Sequence, residues 1–335
     1  MADALADRQY QQALAALDSP GATVEDKVSM LVEIAMGLQH RPKGPAQLRD
    51  AVALYDRALA LCPDEDALVA ARIRARKATA LQAVPETSGT CLQQARAELE
   101  QVLAVLETEG LPEERAEAQM NLGLTIQSLA GLNQARITDA IGCYQQALRT
   151  FTRQAHPAEF AILHNNLATA FLALPVSDGR AKMREALAVQ SFEAALGVVS
   201  LVDQPSEYAM LQNNLGNALQ YASSAHPVEN NLRALQAYDE ALKVRNRRDT
   251  PVAYANTISN KANCLRNLPD DPNHPQRGNR VRLREALSLY QEAQQLFHQF
   301  GESDKVQLVQ ELLDEVRSML GNGAGGEPQF GESPV

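Results

Sequence analysis

Apolar residues recur at steps of three and four along almost the whole chain, and no window alternates apolar and polar positions for long. That periodicity predicts amphipathic helices and no sheet. The pattern also repeats at long range. "AILHNNLATAF" (161–171) returns 48 residues later as "AMLQNNLGNAL" (209–219), with paired asparagines in the same place ahead of a leucine. Taking Asn214 as the anchor, matching positions fall at Asn260, Asn166 and Asn121, and more loosely at Arg76 and Glu33, at spacings of 43 to 48 residues. Such self-similarity indicates stacked repeats, each unable to bury its own apolar face alone.

Pro112, Pro157, Pro205 and Pro251 each stand nine residues before an anchor asparagine. Proline at the first helical position forfeits no hydrogen bond and has its φ preset, so these four open the first helix, A, of their repeats. Thr23 with Asp26, in "TVED", supplies a capping-box start for the first A helix. Each A helix is followed by a B helix carrying Ala, an aromatic four later and Ala three after that: Ala51/Tyr55/Ala58, Ala140/Tyr144/Ala147, Ala188/Phe192/Ala195, Ala234/Tyr238/Ala241 and Ala286/Tyr290/Ala293. These steps place all three on one face, where small residues admit a neighbouring helix and the ring fills the remaining gap. The second repeat, "CLQQARAELEQVLAVLE", keeps the apolar stripe without the ring. "YQQAL" at 10–14 matches "YQQAL" at 144–148, which predicts a lone B-type helix at the start, and residues 303–320 form a terminal amphipathic helix. About fourteen helices are expected, with residues 1–320 as one helical array and the Gly-rich 321–335 as a disordered tail.

A period of 40 to 47 residues also suits HEAT or armadillo repeats, and the residues decide between them. "AEAQMNLGLTI" (116–126) followed by "DAIGCYQQAL" (139–148) resembles the tetratricopeptide repeat (TPR) over roughly residues 4–320. The long period, "HP" before the helix and "NNLA" within it are similar to kinesin light chain repeats. The resemblance implies an all-α fold: a right-handed α-solenoid of about six helix-turn-helix repeats with an N-terminal half-repeat and a C-terminal capping helix. Lys77 and Lys261 take the place of the family's buried leucine, which predicts that these two repeats are shifted or frayed.

In that family the A helices line the concave surface, so the resemblance implies a row of groove amides at Asn121, Asn166, Asn214 and Asn260. Residue-by-residue transfer adds Asn165, Asn213, Asn217, Asn256 and Asn263, with Arg72 and Arg76 near one end and Arg266 near the other. An amide can donate to a carbonyl and accept from an N–H at once, which suits an extended backbone. Arginine offers a carboxylate or phosphate a bidentate grip. The structural alternative stays open, because Asn here also bonds to adjacent helices and arginines in series also serve as a solvated face.

The remaining features narrow the classes. Acidic residues exceed basic ones, 41 to 31, for a formal charge of −10, which disfavours phosphate backbones and so nucleic acid. No run approaches the roughly 18 apolar residues of a membrane span, and "MADALADRQYQQ" has no signal-peptide core, so a cytoplasmic protein is expected. Aromatics are 4% and Trp is absent, which suits small-residue helix packing. Cys62, Cys91, Cys143 and Cys264 lack CxxC spacing and read as reduced thiols packed like small hydrophobes. Three of six histidines precede prolines in loops, none has metal-ligand spacing, and no nucleophile motif or phosphate loop stands out, so no cofactor and no enzyme is expected. Arg277, Arg280, Arg282 and Arg284 cluster in the longest inter-helix loop, and Arg245, Arg247 and Arg248 close a B helix, where cations favour the carbonyl end of the dipole. The expectation is a bacterial-type, non-enzymatic adaptor that holds an extended segment of another protein. A regulatory receptor and a self-assembling scaffold using its own tail are the alternatives.

Overall fold

The structure is a computed structural model and describes residues 21–63, 65–175, 181–222 and 226–322. The expected helix around 10–14 and nearly all of the expected tail lie outside the described residues. What is described contains thirteen α-helices, one short 3-10 turn (Pro275–Arg277) and no strand. The A helices are α1 (Val24–His40), α3 (Ala67–Ala83), α5 (Pro112–Gly131), α7 (Pro157–Leu172), α9 (Pro205–Gln220) and α11 (Pro251–Arg266). The B helices are α2 (Pro45–Leu61), α4 (Thr90–Leu106), α6 (Ile137–Ala147), α8 (Ala181–Leu196), α10 (Pro227–Leu242) and α12 (Arg280–Gln299), and α13 (Ser303–Asn322) closes the series.

The four repeat prolines each occupy the first helical turn, as their missing N–H favours. At α1 the Thr23 hydroxyl accepts from the Asp26 N–H at 3.1 Å while the Asp26 carboxylate accepts from the Thr23 N–H at 3.0 Å, a reciprocal cap.

The chain forms two compact units, Met1–Leu174 and Pro175–Val335. In the first, α1 to α7 pack each against the next, and the alternate helices α1, α3, α5 and α7 also touch. Within the second, α8 to α13 pack in the same sequential way, and α9 meets α11. The Ala-aromatic-Ala faces form the cores: Tyr55, Tyr144, Tyr238 and Tyr290 are fully buried, and so are their flanking alanines. In the ringless repeat, Leu99 fills the aromatic place and is also fully buried. All four cysteines are free thiols, and burial pushes that of Cys264 up to about 12.

A small residue two places after the anchor makes room for each ring. At Gly123 an added Cβ would lie 2.5 Å from the Tyr144 ring, and at Gly216 2.6 Å from the Tyr238 ring. Burial raises the pKa of all four tyrosines, to about 12 for Tyr55, so the hydroxyls stay protonated and act as donors. Each finds an amide on the A helix of its own repeat. Tyr55 donates to Gln39 at 3.0 Å and Tyr144 to Gln127 at 2.9 Å. Tyr238 reaches both Asn217 and Gln220, at 2.8 and 2.9 Å, and Tyr290 donates to Asn263.

The expected fraying at Lys77 and Lys261 is corrected: α3 and α11 are unbroken helices of 17 and 16 residues. Both lysines lay their stems where Leu122, Leu167 and Leu215 are buried elsewhere, and extend the ammonium to an aspartate on the preceding B helix. The distances are 2.6 Å for Lys77 to Asp56 and 2.7 Å for Lys261 to Asp239. Each aspartate directly follows the buried tyrosine of its helix. Lys77 also meets Glu98 on α4 at 2.6 Å, and Arg74 reaches the same carboxylate at 2.8 Å. Burial pushes the Glu98 pKa up, but the Lys77 and Arg74 hydrogen bonds outweigh it and hold the carboxyl below its ordinary value.

Candidate functional site: the inner faces of the A helices

In the first unit, α1, α3 and α5 turn one face toward a shared trough with a cavity of about 640 Å³. Its walls carry Met36, Gln39 and His40 from α1, Arg72, Arg76 and Thr79 from α3, and Glu114, Glu117 and Asn121 from α5. Tyr55 of α2 and Leu106 of α4 line it as well. The register of the pattern explains this lining. A helix turning through 3.6 residues brings the anchor and the positions three, four and seven to either side onto one face.

The charges in this trough are partly spoken for. Arg72 grips Glu114 in bidentate fashion, at 2.7 and 3.4 Å, and holds its carboxyl below the usual range. Arg76 is exposed, with its guanidinium against the Met36 sulfur and no carboxylate partner among the described residues. The Tyr55 hydroxyl starts a chain of hydrogen bonds, to Gln39, from Gln39 to Thr79 at 2.9 Å, and from Thr79 to the Arg76 carbonyl at 2.8 Å. Asn121 is half-buried at the wall, and its backbone carbonyl accepts from Gln82 at 2.9 Å. On α7 Asn165 and Asn166 are half-buried, and their side-chain amides bond to each other at 3.3 Å. His164 beside them packs on Phe160 with ring centroids 4.2 Å apart, and burial lowers its pKa, which favours the neutral ring.

The second unit presents more amides at the same registers. Asn213 is buried and accepts from Thr257 at 3.1 Å and from Asn260 at 3.4 Å, tying α9 to α11. Asn217 and Asn263 are the tyrosine acceptors described above. Asn214 and Asn256 are half-buried on α9 and α11. Arg266 pairs with Glu315 of α13. The twelve residues singled out by the pattern therefore divide: Arg72 and Arg266 already hold carboxylates, Asn213, Asn217, Asn260 and Asn263 serve packing bonds, Asn165 and Asn166 bond to each other, Asn121, Asn214 and Asn256 are half-buried, and Arg76 has no acid of its own.

Three features escaped the reading of the sequence, although each left a trace there. Glutamine stands six residues after the anchor at Gln39, Gln82, Gln127 and Gln220, while the repeat with Phe192 in place of tyrosine has Leu172 there. Where the ring hydroxyl is missing, so is the need for its acceptor. Gln82, whose repeat also lacks the tyrosine, turns instead to Asn121 and Thr125 of the next A helix. The lysine-aspartate pairs and the contact of Arg245 with Thr257, at 2.8 Å, are the other two. Arg245 lies beyond the end of α10 at Leu242 and bonds to the side of α11, so its role is not confined to the helix dipole.

No cluster of three metal-ligating side chains occurs among the described residues, and no helix there is long and apolar enough to cross a membrane.

No family model and no curated protein matches the chain in sequence. Among solved structures, BtubC (BKLC) from P. vanneervenii aligns with a TM-score of 0.53 and 21% identity, covering 72% of this chain and 89% of that one. Kinesin light chain TPR-like repeats from Podosopora anserina align over 65% of this chain and 94% of that one, with 18% identity and a TM-score of 0.47. Rap protein complexed with competence and sporulation factor aligns over 90% and 77%, with 12% identity and a TM-score of 0.47. The chain has the TPR-like helical repeat fold, a conclusion that rests on the sequential helix packing and on the likeness to BtubC.

Proposed function

We propose that the chain is a non-enzymatic adaptor that holds an extended segment of a partner protein against the inner faces of its A helices. The observation carrying this reading is the trough of the first unit, where Arg76 and Glu117 are exposed and Asn121 half-buried around about 640 Å³ of space. A strand-like segment leaves its backbone N–H and C=O groups unpaired, and the amides and arginines of the wall can satisfy both kinds. A salt-bridged face with no hollow would instead argue for packing alone.

Arg76→Glu combined with Asn121→Ala tests the reading. Partner capture from the native cell is expected to fall at least tenfold, with the melting temperature within a few degrees of wild type. Ala97→Glu, on the exposed face of α4, is expected to leave capture intact. Capture that survives the double substitution, or that falls equally with Ala97→Glu, contradicts the assignment.

A further inference from the structure

Six residues before the proline of an A helix, and six after it, the repeats carry a recurring apolar pair: Leu106 and Ala118, Phe151 and Leu163, Val199 and Leu211. All six side chains are buried. The repeat opened by Pro251 breaks the rule on both sides at once, with Arg245 and Thr257. Thr257 is fully buried, donates to Asn213 at 3.1 Å and stands 3.0 Å from the Ala253 carbonyl, while accepting from Arg245 Nη1 at 2.8 Å. That hydroxyl is the one hydrogen-bond partner of the guanidinium among the described residues, so four of its five N–H groups are unspent.

Three carboxylates of the adjoining helices are engaged elsewhere. Asp239 holds Lys261 at 2.7 Å, Glu240 holds Lys243 at 2.5 Å and Tyr208 at 2.9 Å, and Glu292 meets Arg247 at 3.8 Å and Tyr254 at 3.4 Å. Burial lowers the pKa of Arg245, as expected for a cation drawn from water without an acid beside it. The register places the group. Leu106, its counterpart in the first unit, lines the trough there, as do Ala118, Ala75 and Asn121, the register counterparts of Thr257, Asn213 and Asn260.

We propose that Arg245, framed by Thr257, Asn213 and Asn260, binds a single carboxylate carried by the segment that lies along the A helices of the second unit. This rests on the adaptor reading above and adds a ligand chemistry to it. One guanidinium balances one negative charge, whereas a phosphate dianion would keep an excess charge beside a chain of net charge −10. The planar fork of the guanidinium accepts both oxygens of a carboxylate, and the amide N–H groups of the frame point to the same kind of acceptor.

The test uses the full chain and pools of fluorescent octapeptides of randomised sequence, fixed at one position as Glu, Gln or phosphoserine, with both ends capped. A further Gln pool has a free C-terminus and reports a terminal carboxylate separately from a side-chain one. Wild type is expected to retain a carboxylate pool, Glu or free C-terminus, at least tenfold better than the capped Gln and phosphoserine pools. Arg245→Leu, which restores an apolar residue as in the other repeats, is expected to lose that preference while melting at or above the wild-type temperature. Retention of peptides with no carboxylate preference in wild type overturns the proposal and leaves the adaptor reading standing. A preference that survives Arg245→Leu, or one for phosphoserine over Glu, overturns it as well. If no pool is retained by wild type, the trough reading itself falls and the proposal with it.

Discussion

Lys77 in the first unit and Arg245 in the second both stand where sister repeats bury an apolar side chain, and their surroundings differ in kind. Lys77 is met by two carboxylates and shares one of them with Arg74. Arg245 is met by a hydroxyl alone, that of Thr257. Drawing a charge out of water costs several kcal/mol, and an acid at hydrogen-bond distance offsets much of that cost within the fold. A cation supplied with its own acids locks helices together. A cation without one keeps its binding capacity for something outside the chain, at some expense of stability. The same contrast recurs within the trough of the first unit, where Arg72 grips Glu114 and Arg76 has no acid.

The largest effect that sharpens this contrast is expected at Glu98. Glu98→Leu leaves Arg74 without its acid and Lys77 with Asp56 alone beside a partly buried site, and is expected to cost about 3 kcal/mol in urea denaturation. Arg245→Leu is expected to cost nothing, and comparable losses from the two would erase the distinction. Next comes Gly216→Ala. Its Cβ would press on the Tyr238 ring from 2.6 Å, so overpacking of about 2 kcal/mol is expected to exceed the gain of about 1 kcal/mol in helix propensity. A rise in the urea midpoint would contradict the packing described. Tyr238→Phe leaves Asn217 and Gln220 without their donor and is expected to cost about 1 kcal/mol. Adding Gln220→Leu, which copies the Phe192 and Leu172 combination, should recover part of it.

The smallest effect concerns pH. The carboxyl of Glu98 titrates lower in the fold than in the unfolded chain, where its pKa is about 4.3. Its stabilisation is therefore complete above that value and is lost as pH falls through the lower folded value. The stability difference between wild type and Glu98→Gln should shrink over that interval, and a gap constant with pH would remove Glu98 from the acid response.

The helical registers were legible because they repeat: proline at the first turn, Ala-aromatic-Ala on the B helix and a small residue under the ring are local demands of one packing scheme. Lys77 and Lys261 misled, because a lysine in a leucine place reads as a defect until Asp56 and Asp239, 21 and 22 residues earlier, are brought beside them. The asparagines were visible as a series, but their uses were not. Whether Asn217 meets Tyr238 or solvent depends on side-chain direction at a helix contact, which identity and spacing do not specify. Arg245 was read from its place near a helix end, and its contact lies with the next A helix.

The most direct test of the trough as the binding surface is site-specific photocrosslinking in the native cell, with a photoreactive residue at Glu117 on the cavity wall or at Ala97 on the exposed face of α4. Adducts to a partner protein are expected from position 117 and not from position 97. Equal labelling from both positions, or labelling from position 97 alone, would contradict binding in the trough.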